Sequence, residues 1–431
     1  MVSNVKDVPA PPSPSPLDNI GRYDSSGCLG PTDLFWYDHR DWLKEQGYLL
    51  RARYQAGWVP SWTDGTLGAY GSEDGQYYIY PGVMDATVSS DGSFVMMKKV
   101  KSPSAELDIA VWFSAEPRRS DPANHCVPIY SVLSDPNEPD WAIIVMPLLR
   151  RFDKPRFDTI GEAVGFFTQI FEGLQFMHKN NVAHRDCTSM NIMMDGSSLY
   201  PIPFHPIKQH LKRDFSGKAP HLTRTQRPVK YYLTDFGLSR QYKLEERPPL
   251  EPIIWAGDKS APEYQVCDAC DPFPTDIYHL GNLIRREFLG SEFVSQKRGF
   301  EFMVPLVADM VQTDPSLRPE MDEVVRRFGD IVQGLNNWKL RSRVSKASDF
   351  FGFITVFPIG FGDFNSLSRE FLQFLSYPSF STNTVACIGF NNLLKRWDYQ
   401  TKLPRSRIKS VTAKRPFVLH MDVTLTTTFT G

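Results

Sequence analysis

Val182-Ala183-His184-Arg185-Asp186-Cys187-Thr188-Ser189-Met190-Asn191 is the stretch of this 431-residue chain on which the reading of its fold turns. It carries the pattern H-R-D-x-x-x-x-N: an imidazole, a guanidinium and a carboxylate in succession, then a carboxamide five positions after the carboxylate. Alone, such a cluster is also compatible with a structural salt bridge on a loop. Its surroundings argue otherwise. Upstream, Val164, Phe167, Ile170, Phe171, Leu174 and Met177 recur at helical spacing between Ile160 and Lys179. Downstream, the apolar strand Tyr231-Tyr232-Leu233-Thr234 runs into Asp235-Phe236-Gly237. Then come Ala261-Pro262-Glu263, Asp276 at the head of an apolar helix, and Arg318-Pro319 before a last helix. Any one triplet recurs by chance; five features in a fixed order do not.

Composition sets the frame for that run. Hydrophobic residues make up 41% and charged residues 23%, as in an ordinary globular chain whose length admits two lobes or domains. With 48 Lys+Arg against 49 Asp+Glu, no global field favours nucleic acid or an anionic membrane, so neither is expected as a partner. No apolar run reaches the ~20 residues of a bilayer span; the nearest, Phe351 to Phe361, is too short and contains Pro358. Six scattered cysteines and the lack of a signal-peptide pattern predict a reducing, intracellular and in the simplest case cytoplasmic setting. Cys267 and Cys270 form a lone C-x-x-C without the two further ligands a zinc site needs.

The first half reads as mostly β. A helix is expected near 35 to 46 in an aromatic-rich N-terminal extension (18–75) that follows a Pro/Ser-rich disordered tail (1–17). Strands around Gln76 to Tyr80 and Phe94 to Val100 would form a hairpin about Ser89-Ser90-Asp91-Gly92. A short helix is expected over Ser104 to Ser114, and strands over Cys126 to Leu133 and Trp141 to Met146. The second half reads as mostly α, with further helices over 274 to 289, 301 to 312 and 320 to 337.

The ordered motifs resemble those of eukaryotic protein kinases over about residues 76 to 340. The resemblance implies an α+β, bilobal protein-kinase-like fold: a small β-rich N-lobe with one helix (76–149, hinge included) and a larger, mainly α-helical C-lobe (150–345). It implies ATP and Mg²⁺ as cofactors and a protein hydroxyl as substrate. By the same resemblance Asp186 orients and deprotonates the attacking hydroxyl, while Asn191 and Asp235 hold magnesium. Val95-Met96-Met97-Lys98 fits V-A-I-K and places Lys98 on the phosphates. Strand alternation favours Lys98 over its neighbour Lys99. Glu106 is the expected helical partner of Lys98, with Asp108 the alternative, and Met146 to Leu149, Leu148 among them, would border the adenine. Glu263 should pair with Arg318, and Asp276 should brace the catalytic loop. The runs A-H-R-D-C, N-I-M-M-D and D-F-G-L-S-R, with Trp338 to Arg343, are similar to a group of kinase-like proteins abundant in mushroom-forming (basidiomycete) fungi.

Three departures qualify the resemblance. Where a glycine-rich loop is expected, Tyr80-Pro81-Gly82-Val83-Met84-Asp85-Ala86 offers one glycine and a carboxylate expected to face and repel the phosphates. Thr188 stands where serine/threonine kinases carry a phosphate-contacting lysine. Asn191 and Asp235 lie 44 positions apart, so a Pro-rich insert (196–230) fills a normally short hairpin. Its basic residues Lys208, Lys212, Arg213, Lys218, Arg224 and Arg227 read as a solvated loop, with a docking site for an acidic partner as the alternative. The segment from Asp235 to Glu263 is poor in hydroxyls; Glu245, Glu246 or Glu251 is expected to replace an activating phosphate opposite Arg185. Residues 346–431 carry no assignable pattern. A Mg²⁺- and ATP-dependent protein kinase is thus expected ahead of a pseudokinase scaffold. A small-molecule phosphotransferase comes third, because Ala261-Pro262-Glu263 and Arg318 suit a peptide substrate.

Overall fold

The computed structural model describes residues 29–64, 68–80, 82–246, 248–254, 257–290 and 296–345. The expected N-terminal tail and the segment 346–431 lie outside the described residues.

Five antiparallel strands build the smaller lobe: β1 (Tyr48–Leu49), β2 (Val83–Val88), β3 (Phe94–Lys101), β4 (Ser131–Ser134) and β5 (Trp141–Pro147), ordered β1-β2-β3-β5-β4. The hairpin turn at Ser89 to Gly92 is where the sequence places it, but its first strand is Val83–Val88 and not Gln76 to Tyr80. A tight turn fixes register outward from itself, so the strand must abut it. Gln76 instead donates its side-chain amide to the carbonyls of Ala69, Tyr70 and Ser72, folding its segment back on itself.

The aromatic extension forms two short helices, α1 (Pro31–Asp38) and α2 (Arg40–Glu45), instead of one. Trp36, Leu43 and Tyr54 pack against Met84, Ala86, Val95, Met97, Ile143 and Val145 on the outer face of the sheet. That face therefore needs a cover, and the large rings supply it. Because β1 lies within this extension, the β1–β2 connection is the long stretch 50–82, which includes the short helix α3 (Gly68–Gly71). The opposite face receives α4 (Ala105–Ser114), whose Ser104 accepts a hydrogen bond from the Leu107 amide as N-cap, a bond worth ~1 kcal/mol.

Past the hinge, β6 (Arg150–Arg151) leads to α5 (Ile160–Lys179), which matches the expected span and is capped by Thr159. Phe166, Phe167, Ile170, Phe171 and Leu174 are buried along it and form the centre of the larger core. Short strands β7 (Val182–Ala183), β8 (Ile192–Met194), β9 (Tyr231–Leu233), β10 (Arg240–Gln241), β11 (Glu251–Pro252) and β12 (Ala269–Cys270) hold the loops above it. Helices α6 (Pro272–Ile284), α7 (Val304–Met310), α8 (Met321–Gly334) and α9 (Asn337–Arg341) complete the lobe. Among the described residues no helix is long and apolar enough to cross a membrane.

Candidate active site

Alternation along β3 sorts its side chains into two sets. Val95 and Met97 enter the outer core, while Met96 and Lys98 face the cleft between the lobes. Lys98 Nζ lies 2.5 Å from Glu106 Oε1 and 2.9 Å from Asp235 Oδ1. Lys99 turns away to Glu138 at 3.0 Å and sits over the rings of Phe35 and Trp141. Asp108, the alternative partner, is exposed on the far side of α4. Burial works against the Lys98 charge, but the carboxylates of Asp235 and Glu106 outweigh it and raise the pKa above the ordinary lysine value. For Asp235 burial likewise opposes ionisation, and Lys98 overcomes it, lowering the carboxyl pKa.

Asp235 adopts a left-handed backbone (φ 64°), uncommon for a residue with a side chain and typical of strain retained at functional positions. It turns Phe236 inward beneath α4, against Phe113 and His184. Gly237 matters in that turn: a Cβ there would crowd Asp235 Oδ1 at 3.2 Å and Glu106 Oε2 at 3.5 Å.

The catalytic-loop pattern forms the floor of the cleft. Asp276, fully buried on α6, accepts hydrogen bonds from the backbone amides of His184 (2.7 Å) and Arg185 (2.6 Å) and pairs with His178. Asn191 donates its Nδ2 to Asp186 Oδ2 at 2.7 Å, which leaves its carbonyl oxygen for a cation. Asp186 Oδ1 is buried without a partner, and burial raises the pKa of this carboxyl. Gly257 lies directly against that oxygen at φ +63°, and a Cβ at 257 would overlap it. Arg185 pairs with Glu251 at 3.2 Å and donates to the Pro252 and Leu238 carbonyls. Of the three acidic residues named for this place, Glu251 is the one that occupies it. Glu263 and Arg318 form a buried bidentate pair at 2.7 and 2.8 Å.

The hinge side chains Met146 and Leu148 are half-buried and pack against the larger core, Met146 lying opposite Met96. Two expectations about the cleft are corrected. Asp85 is not a bare carboxylate facing phosphates: it is fully buried, with Arg51 at 3.0 Å and Arg213 at 2.7 Å. The insert is a solvated loop only in part, with Lys218 and Arg227 exposed as expected. His205 and Arg224 are buried, and Arg224 donates to the carbonyls of Phe152, Pro155 and Arg156. These partners lie 34 to 128 positions away in sequence, out of reach of any local pattern. Arg51 and Gly257 carry no motif and were absent from the sequence reading, and Arg213 entered it only as one of the insert's basic residues.

Fold and site together define a protein kinase domain. The family described as protein kinase domain matches residues 81–350, well over half of the chain, and the chain belongs to it. It is similar to the serine/threonine-protein kinase CAK1 of Saccharomyces cerevisiae, 25% identical over 167 residues that make up 37% of this chain and 37% of that protein. The chain thus aligns with little more than a third of that relative's length.

Proposed function

We propose that this chain is an ATP- and Mg²⁺-dependent protein kinase that transfers the γ-phosphate to a serine or threonine hydroxyl of a protein, in an intracellular setting. The observation that carries this is the double contact of Lys98 with Glu106 and Asp235, which joins helix, strand and loop into one phosphate-facing cluster. Among the described residues no group of three or more His, Cys, Asp or Glu side chains could hold a metal. A magnesium ion held by only Asp235 and Asn191 suits this, since Mg²⁺ takes its remaining ligands from phosphates and water. The bound ion and nucleotide supply the transferable phosphoryl group and the charge neutralisation it requires. Lys98 would hold the phosphates, while Met146 and Leu148 would border the base. Asp186 would orient the acceptor hydroxyl through Oδ1 and take its proton, and Arg185 would act at a distance through Glu251.

A second reading, a pseudokinase that binds partners, draws on the sequence of the β1–β2 connection, which contains no G-x-G-x-x-G pattern, and on Met96 in the cleft roof. A docking role for the insert would rest on Lys212, Lys218 and Arg227, since Arg213, Arg224 and Lys208 are engaged within the chain. Thermal shift with ATP and Mg²⁺, followed by labelled phosphate transfer to a generic protein, separates the two readings. Magnesium-dependent stabilisation lost in Asp235→Asn, with transfer lost in Asp186→Asn, supports the kinase. A folded protein showing neither is a pseudokinase.

A further inference from the structure

We infer that Arg213 and Asp85 form a positioning pair that straps the C-lobe insert across the nucleotide cleft and sets how fast nucleotide enters and leaves. The inference rests on the nucleotide-binding reading above.

The argument begins with strand register. Residues directly opposite in an antiparallel pair project to the same face. Val83 lies opposite Lys98 and Asp85 opposite Met96, so Asp85 hangs over the same cleft as Lys98, two positions toward the hairpin turn. A fully buried carboxylate persists there only if it is paired. One partner is Arg51, just after β1, through Nε at 3.0 Å. The other, Arg213, comes from the opposite lobe and reaches Asp85 at 2.7 Å. Its guanidinium also stacks over Phe94, 4.0 Å from the ring centroid, and Phe94 lies on the Lys98 face as well.

A second fastening lies beside the first. His205 of the insert meets Glu73 at 3.2 Å, and Glu73 also holds Arg51 at 3.1 Å. At the base of the insert, Tyr200 and Phe204 stack on Arg150, three residues beyond the end of β5. The insert is therefore tied at its root beside the hinge and at its tip to the roof of the smaller lobe. In kinases the glycine-rich loop covers the nucleotide from above; in this chain a strap from below spans the same opening. Two acidic and two guanidinium groups balance within the cluster, although Arg51 Nη2 and Arg213 Nη1 are buried without a hydrogen-bond partner. Release of Arg213 is the step that frees the opening.

The test uses the full chain and a fluorescent ATP analogue with Mg²⁺, comparing wild type with Arg213→Ala, Arg213→Lys and Asp85→Asn. Amide hydrogen exchange over residues 203–219 and 83–88 is measured on the same samples without nucleotide. The expected result is faster exchange in Arg213→Ala and Asp85→Asn. Association and dissociation rates of the analogue should both rise by at least about tenfold, the size expected for one charge-assisted hydrogen bond, with partial return in Arg213→Lys. Unchanged amide exchange would show that the pair fastens nothing. Faster exchange with unchanged nucleotide rates would reduce it to a packing contact; either result overturns the inference while the kinase reading stands. A chain in which neither wild type nor any variant binds nucleotide overturns that reading and the inference with it.

Discussion

At the scale of single residues, the decisive observation is the unengaged oxygen of Asp186. A carboxylate that is to accept a proton must keep one oxygen free of other donors; Asn191 takes Oδ2, and Oδ1 is left facing Gly257. Burial raises the pKa of this group, so its charge is carried at a cost in stability at neutral pH. Asp186→Asn should therefore abolish phosphate transfer and at the same time raise the thermal midpoint at pH 7; a lower midpoint would contradict the second half. The sign for activity follows from the same shift. As pH falls through a raised carboxyl pKa the base becomes protonated, so the acid limb of kcat/KM should lie above the ordinary aspartate range. Gly257→Ala adds a methyl group where Asp186 Oδ1 sits and forces a strained φ, so turnover should drop on the order of 10²-fold with the fold retained. Wild-type turnover in that variant would show that the activation segment stands clear of Asp186 during the reaction.

At the scale of elements, the stretch from β10 to the Ala261-Pro262-Glu263 triplet is held by two ion pairs of different character. Arg185 and Glu251 join the catalytic loop to β11 with no phosphate needed, so the purified, unphosphorylated chain should already be competent. Glu251→Arg reverses the charge opposite Arg185 and should lower transfer at least about tenfold while speeding proteolysis between residues 239 and 262. Unchanged activity would remove Glu251 from any activating role. The Glu263–Arg318 pair is buried on both sides, and breaking one partner strands the other charge. Glu263→Ala should cost about 3–5 kcal/mol in chemical denaturation, a loss that Arg318→Lys would only partly reproduce, because a lysine cannot restore the bidentate fork.

At the scale of the whole molecule, two apolar cores lie on opposite faces of the small sheet. One is built on α5 and the other on the covered outer face of the small sheet. Three acids brace the molecule: Asp276, fully buried, under the catalytic loop, Glu263, buried against Arg318, and Asp235, half-exposed, against Lys98 across the cleft. For each, burial alone would favour the neutral form, and paired cations or hydrogen-bond donors overcome it, so all three pKa values are lowered. An acid with a depressed folded pKa contributes stability above its unfolded pKa, and loses it as pH falls through the folded value. Stability should hold through neutrality and collapse below about pH 4; a denaturation midpoint unchanged between pH 7 and pH 3 would refute this assignment.

The sequence by itself determined the larger lobe and the floor of the site. The α5 span, the order of Asp186, Asn191 and Asp235, the choice of Lys98 over Lys99, and the Glu263–Arg318 and Asp276 braces all depend on short-range periodicity or fixed motif spacing. Such signals survive without knowledge of distant neighbours. What only the tertiary structure decided lies where partners are remote. Glu251 is singled out from three acids by the path of the activation segment, and Asp85 changes from an expected source of repulsion into a buried, doubly paired group. Its second guanidinium arrives from an insert 128 positions away, and no local pattern of charge or hydropathy records where a folded chain will bring it.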